Sequence, residues 1–204
     1  QFCDAVSRID GCEGCAVASK SLARAENFAK ENGVENYYDD YEMLLEKEKP
    51  DCAYIAVTSN DHYRLSVLCV NHSVPVLCEK AMFQNSEEAK NLYALASEKK
   101  IFIMEALWSR YLPAVQQVKR WVEQEKIGKP TVLQCNIGFL APDEKENRYF
   151  NPKLGGGAAK DITVYAYEIT TFILNQVIRD ISVSATWSDT GVDVTNHVSI
   201  CFDD

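Results

Sequence analysis

Apolar residues fall along the first half of the chain in two alternating rhythms. Short, near-continuous runs occur at Cys15-Ala16-Val17-Ala18, Cys52 to Val57, Val74 to Cys78 and Ile101 to Met104. Such runs mark strands buried on both faces. Between them apolar residues recur at helical spacing. Leu22, Ala25, Phe28 and Ala29 lead to a stop at Gly33, and Leu65, Leu68 and Cys69 share one face of a helix over about 61–71. Ala89, Leu92, Tyr93 and Ala96 follow an N-cap at Ser86. Strand runs separated by amphipathic helices predict a parallel sheet with helices on both faces, a doubly wound α/β domain.

After Met104 the rhythm changes. Val118, Trp121 and Val122 predict a helix running to Gly128, and Thr131 to Phe139 reads as a strand. Gly155-Gly156-Gly157 precedes a helical stretch over about 162–174. Ile181 to Trp187 is strand-like. Val192, Val194, Val198, Ile200 and Phe202 then share one face, alternating with Asp193, Thr195, His197 and Ser199. That alternation predicts a sheet open on one side to water or a partner. The chain therefore divides into an α/β domain over 1–107 and an α+β domain with an open, mainly antiparallel sheet over 108–204. A doubly wound domain opens with a strand and a Gly-rich turn. Here Phe2, Ala5, Val6 and Ile9 read as the tail of a helix, and Phe202 lies inside a strand pattern. The expectation is a chain trimmed at both ends, lacking the first strand and its turn.

Composition narrows the function classes. The 204 residues carry 21 basic and 30 acidic side chains, a net charge of −9, so phosphate-led nucleic-acid binding is not expected. Hydrophobic residues make up 47%, which excludes a largely disordered chain. No apolar run approaches the roughly 18 residues of a membrane span, and the first residues lack the build of a signal peptide. Most cysteines (Cys52, Cys69, Cys78, Cys135, Cys201) sit in apolar runs as small hydrophobes, which predicts reduced thiols and a cytoplasmic location. Cys12-Glu13-Gly14-Cys15 has no second pair and no suitably spaced His, so no metal site is expected. His72 and His197 read as surface residues.

Three segments offer chemistry. Thr58-Ser59-Asn60-Asp61-His62 follows a strand, at the end where parallel sheets bind ligands. Glu79-Lys80 ends the next strand. Its lysine is either a solvated terminus or a half-buried cation that stabilises an alkoxide. Asp161 and Tyr165, four apart beyond the glycines, share a helical face. They read either as a capping carboxylate and a core phenol, or as a pair that orients a substrate hydroxyl and moves its proton.

Five runs occur in order: Ala18-Ser19-Lys20-Ser21; Tyr54 to Tyr63; Leu77-Cys78-Glu79-Lys80; Met104 to Pro113, containing Glu-Ala-Leu-Trp-Ser-Arg; and Leu154 to Tyr165. Together they resemble the glucose–fructose oxidoreductase / inositol dehydrogenase (Gfo/Idh/MocA) family. Within it they resemble the branch of dimeric dihydrodiol dehydrogenases and NADP-dependent xylose dehydrogenases. The resemblance covers essentially the whole chain. It implies a Rossmann domain, a second domain whose open sheet forms homodimers, and hydride transfer between a nicotinamide cofactor and a sugar, polyol or dihydrodiol. It further implies that Lys80 contacts the reacting oxygen and nicotinamide ribose, that Tyr165 is the acid–base group and that Asp161 supports it. Thr58, Asn60, His62 and Glu79 would line the cofactor, with Trp108 and Arg110 near it.

Cofactor choice is argued from the residues themselves. A carboxylate after the second Rossmann strand binds the ribose 2′-hydroxyl of NAD and repels a 2′-phosphate. Ser19, Lys20 and Ser21 place two hydroxyls and a cation there, favouring NADP over NAD. Three features depart from the family pattern: Ala81 in place of Pro after Lys80, Lys160 and Thr163 beside the acid–base pair, and the absent glycine fingerprint. Without the fingerprint the chain alone is expected to bind cofactor feebly and turn over little. The alternative reading is a non-catalytic nucleotide-binding or dimerising relative. Retention of Lys80, Asp161 and Tyr165 together weighs against it.

Overall fold

The structure is a computed structural model describing residues 2–142, 144 and 147–203. The chain forms two compact units. One holds the residues up to Ile55 with Tyr63–Cys78 and Ala89–Met104; the other holds Ala56–His62, Glu79–Glu88 and the residues from Glu105 onward.

The first unit opens with the short helix α1 (Phe2–Val6), whose Phe2 ring stacks on Tyr54 at 3.7 Å. Strand β1 (Ala16–Ala18) leads into α2 (Leu22–Asn32). Ser21 caps α2 by accepting from the Arg24 N–H, and Gly33 closes it at φ 68°, where a side chain would be strained. Ala25 and Ala29, one turn apart, form its fully buried stripe. Strand β2 (Asn36–Tyr38) pairs in parallel with β1, and α3 (Tyr41–Glu48) follows behind an Asp40 cap. Neither β2 nor α3 is marked by the hydrophobic pattern. In α3 only Leu45 is buried, and β2 is three residues led by a polar Asn36, whose amide bonds the Cys15 carbonyl at 3.2 Å.

Strands β3 (Ala53–Ile55), β4 (Val76–Cys78) and β5 (Ile103–Glu105) form a second sheet in that order, β3 and β4 parallel with Ala53 opposite Val76. Helix α4 (Ser59–Asn71) links β3 to β4, and α5 (Ser86–Lys99) links β4 to β5. The alternation of strand and helix is as the periodicity predicts. One detail differs: Ser86 is the first helical residue, and Asn85 is the cap, its side chain accepting from the Glu88 N–H at 2.9 Å. The core contains Val70, Val76, Cys78 and Leu92, all essentially without exposed surface. Burial pushes the Cys69 thiol up to about 11, so at neutral pH it packs as an uncharged side chain.

The second unit contains a 3₁₀ turn (Trp108–Tyr111), helix α6 (Pro113–Glu123), a 3₁₀ turn (Pro152–Leu154), a π-helical turn (Ala159–Thr163), helix α7 (Val164–Leu174) and strands β6 (Ile178–Trp187) and β7 (Asp193–Phe202). The last two strands are antiparallel. Apolar cross-strand pairs Ile181–Ile200 and Val183–Val198 share one face; Ser182–Ser199, Ser184–His197 and Thr186–Thr195 share the other, as the alternation predicts. The expected strand over 131–139 is absent. Val132, Ile137 and Phe139 are at least 45% exposed, and none of these residues joins a strand ladder among the described residues. An apolar run without a hydrogen-bonding partner does not become a strand.

Candidate active site

Three segments of the second unit converge: residues 56–62, residues 79–81, and the stretch from Asn147 to Tyr165. The glycines make that convergence possible. A Cβ on Gly155 would stand 2.1 Å from the Ser59 hydroxyl, and one on Gly156 would stand 2.7 Å from the Arg148 and Tyr149 carbonyl oxygens. Only glycine admits backbone this close. Ser59 Oγ donates to the Gly155 carbonyl at 3.3 Å, fastening the start of α4 to the glycine segment. The helix that follows begins as a π-helical turn, a form common at functional sites, and this turn carries Asp161.

Lys80 Nζ donates to Asp161 Oδ1 at 2.9 Å and also to the Asp161 backbone carbonyl. Both side chains are largely buried, 14% and 16% exposed. Arg148 donates to the same Oδ1 at 3.2 Å, so one carboxylate faces two cations. Lys80 Nζ also lies 5.2 Å from the centre of the Tyr165 ring. The Tyr165 hydroxyl accepts from Trp108 Nε1 at 3.1 Å, and the two rings meet edge to face. Burial pushes the Tyr165 phenol above its ordinary pKa; the Trp108 N–H opposes this, and the carboxylates Glu79, Asp161 and Glu105 add to it. Beside this cluster is a small cavity of about 40 Å³, lined by Thr58, Ser59, Lys80, Arg148, Lys160 and Asp161 among others.

The other expected site residues divide. The Thr58 carbonyl accepts from the Asp61 N–H, and the residue lines the cavity. Asn60 is exposed in the first turn of α4. His62 is 1% exposed, with Nδ1 2.9 Å from the Ala81 carbonyl oxygen and Nε2 3.0 Å from that of Val57; it clamps two backbone segments together. Glu79 accepts from the Lys80 N–H at 3.3 Å. Trp108 is 57% exposed, and Arg110 Nε donates to Glu168 Oε1 at 2.5 Å. Ser19 and Lys20 belong to the other unit, at the carboxyl end of β1 just before the α2 cap. That end carries a cation and hydroxyls, with the Ser19 N–H donating to the Tyr38 carbonyl of β2 at 3.1 Å.

The departures from the family pattern have local work. Lys160 donates to the Gln84 side-chain carbonyl, and Thr163 accepts from Asn196 Nδ2 at 3.1 Å, so both tether the π-helical turn. Two residues near the chemistry carry no signal in the sequence. Arg148 lies in a loop without periodicity, and Glu168 is a lone charge in an otherwise uncharged helix.

Glu105 gives a test of the electrostatics. Burial pushes its carboxyl up; the Met82 N–H, His62 and Arg110 pull it down, and Glu168 pushes it up again, the net direction being upward. A carboxyl raised on folding contributes stability below its unfolded pKa and loses it as pH rises through the folded value. Glu105→Gln keeps an acceptor for the Met82 N–H at 2.8 Å. It is therefore expected to stabilise the protein at pH 7, with the gain vanishing below about pH 4, where both forms are uncharged. Denaturant midpoints at the two pH values check this.

Known proteins resemble this chain over nearly its whole length. The model of an oxidoreductase family with an NAD-binding Rossmann fold, GFO/IDH/MocA, matches residues 3–107, and that of the GFO/IDH/MocA C-terminal domain matches 115–204. A curated relative, trans-1,2-dihydrobenzene-1,2-diol dehydrogenase of Danio rerio, is 31% identical over 92% of this chain and 56% of its own length. The chain thus spans about half the length of the curated relatives it matches. Among solved structures, an NAD-binding protein from Listeria innocua superposes with a TM-score of 0.83 at 23% identity, over 99% of this chain and 59% of that one. An oxidoreductase from Agrobacterium radiobacter, in complex with NAD⁺, L-tartaric acid and magnesium, gives 0.78 at 20% identity, over 97% and 58%. The chain belongs to the GFO/IDH/MocA oxidoreductase family, with an NAD-binding Rossmann fold followed by the family's C-terminal domain.

Proposed function

We propose that the full-length protein is an NADP-dependent dehydrogenase that oxidises a secondary hydroxyl of a sugar, polyol or dihydrodiol. Residues 1–107 would serve the dinucleotide and 108–204 the substrate. The observation that carries this reading is the contact of Lys80 with both Asp161 and the Tyr165 ring. A bound nicotinamide supplies the hydride acceptor. Tyr165, after losing its own proton to solvent, takes the hydroxyl proton as the phenolate, directly or through a relay that includes Lys80. The Lys80 ammonium stabilises the alkoxide that develops, and Asp161 holds that ammonium in place. Thr58, Asn60, His62, Glu79, Trp108 and Arg110 form the cofactor side of the site. The dihydrodiol class is supported by the name of the Danio rerio relative.

Reduction of NADP by the purified full-length protein against a panel of aldoses and vicinal diols tests this. No reduction across the panel would remove the reading. Cofactor choice has its own test. Lys20→Ala is expected to weaken NADP binding about tenfold or more, the loss of one charge-assisted contact, while NAD binding changes little. Equal losses, measured by fluorescence titration, would overturn the 2′-phosphate assignment.

The open sheet of β6 and β7 is proposed as the homodimer surface; sedimentation of the full-length protein checks it. No helix among the described residues is long and apolar enough to cross a membrane. The free thiols, Cys69 and Cys78 among them buried, support a reducing, cytoplasmic setting.

A further inference from the structure

Helix α7 carries one charged residue, Glu168, and it is buried, at 2% exposure. A carboxyl group is disfavoured there unless both oxygens are satisfied. They are. Oε1 accepts from Arg110 Nε and Oε2 from Ser109 Oγ, each at 2.5 Å, and Ser109 is itself 3% exposed. Both donors belong to the 3₁₀ turn that starts with Trp108. Arg110 also lies over the Phe172 ring of α7, at 5.4 Å. The turn is thus fastened to α7 within one turn of Tyr165, three residues from Glu168 on the same helical face.

Trp108 meets the Tyr165 ring edge to face. The indole is more than half exposed, and its N–H rests on the Tyr165 hydroxyl. The geometry points to Glu168 as a positioning residue: it pins the Trp108 turn to α7 so that the indole N–H stays on the Tyr165 oxygen. This inference rests on the proposed acid–base role of Tyr165 for its catalytic consequence, though not for its structural content. An N–H donated to a phenol oxygen favours the phenolate, easing proton removal from a substrate hydroxyl.

Two effects of removing Glu168 differ in direction, which makes the proposal testable. Taking a carboxyl group away from the phenol does not raise the Tyr165 pKa through the field; loss of the Trp108 hydrogen bond raises it. The experiment is an ultraviolet phenolate titration of the full-length protein, with the Tyr165 signal assigned by its absence in Tyr165→Phe. The variants are Trp108→Phe, Glu168→Ala and the double variant. The expected result is an upward shift of Tyr165 in each single variant and no further upward shift in the double, where no indole N–H remains to be lost. A downward or absent shift in Glu168→Ala, or additive shifts, would overturn the proposal. Ser109→Ala, which removes one of the two bonds to Glu168, serves in place of Glu168→Ala if that variant does not fold, and an upward shift is expected there too. The titration needs no turnover, so a protein that reduces no dinucleotide would refute the dehydrogenase reading and leave this result standing.

Discussion

Replacing Lys80 by Ala is expected to lower kcat for diol or sugar oxidation by about 10²–10³-fold, the effect of removing one preorganised donor from a developing oxyanion. The ammonium is held in a low-exposure position by two oxygens of Asp161, so it needs no reorganisation when charge develops beside it. Its removal does not orphan Asp161, because Arg148 remains 3.2 Å from the same oxygen. The fold is therefore expected to survive, as judged by circular dichroism and a cooperative melt. Lys80→Met, which keeps an unbranched stem without the charge, is expected to lose activity to a similar extent and so separates the charge from the bulk of the side chain. Wild-type-like turnover in either variant would take Lys80 out of the mechanism.

Tyr165→Phe is expected to cost about 10²–10⁴-fold in kcat, the usual worth of a positioned general base. The ring keeps its edge-to-face packing on Trp108, and only the hydroxyl is lost. Burial and three nearby carboxylates raise the phenol, so kcat/KM for oxidation in the wild type is expected to climb with pH along a limb whose inflection lies above the ordinary tyrosine value, since a general base acts only when deprotonated. That limb should vanish in the Phe variant. If it persists unchanged, another group, for which Lys80 is the nearest candidate, carries the proton.

The two halves of the chain were unequally legible. In the first, Val76 and Cys78 alternate with Leu77 inside a run too apolar to be anything but a buried strand, and Gly33 ends α2 at a positive φ. Strand β2 and helix α3 went unmarked because each buries too little of itself to leave a periodic trace. In the second, the run over 131–139 carries the residues of a strand but finds no ladder in the described residues, since strand formation depends on a partner as well as on propensity.

The site follows the same division. Lys80, Asp161 and Tyr165 are readable as residue types placed at a strand end and on a helical face, because local spacing determines which side chains share a face. Glu168 and Arg148 are not readable. Their significance comes from contacts 58 residues away at Arg110 and 13 away at Asp161, which no local period encodes. Periodicity and motif order alone determine that this chain alternates strand and helix, ends in an antiparallel ribbon and carries a lysine at a strand end with an aspartate and a tyrosine on one helical face. Only tertiary packing decides which charges neutralise which, how deeply the phenol is desolvated and what holds the indole against it. Those depend on through-space distance and dielectric, and sequence separation does not report either.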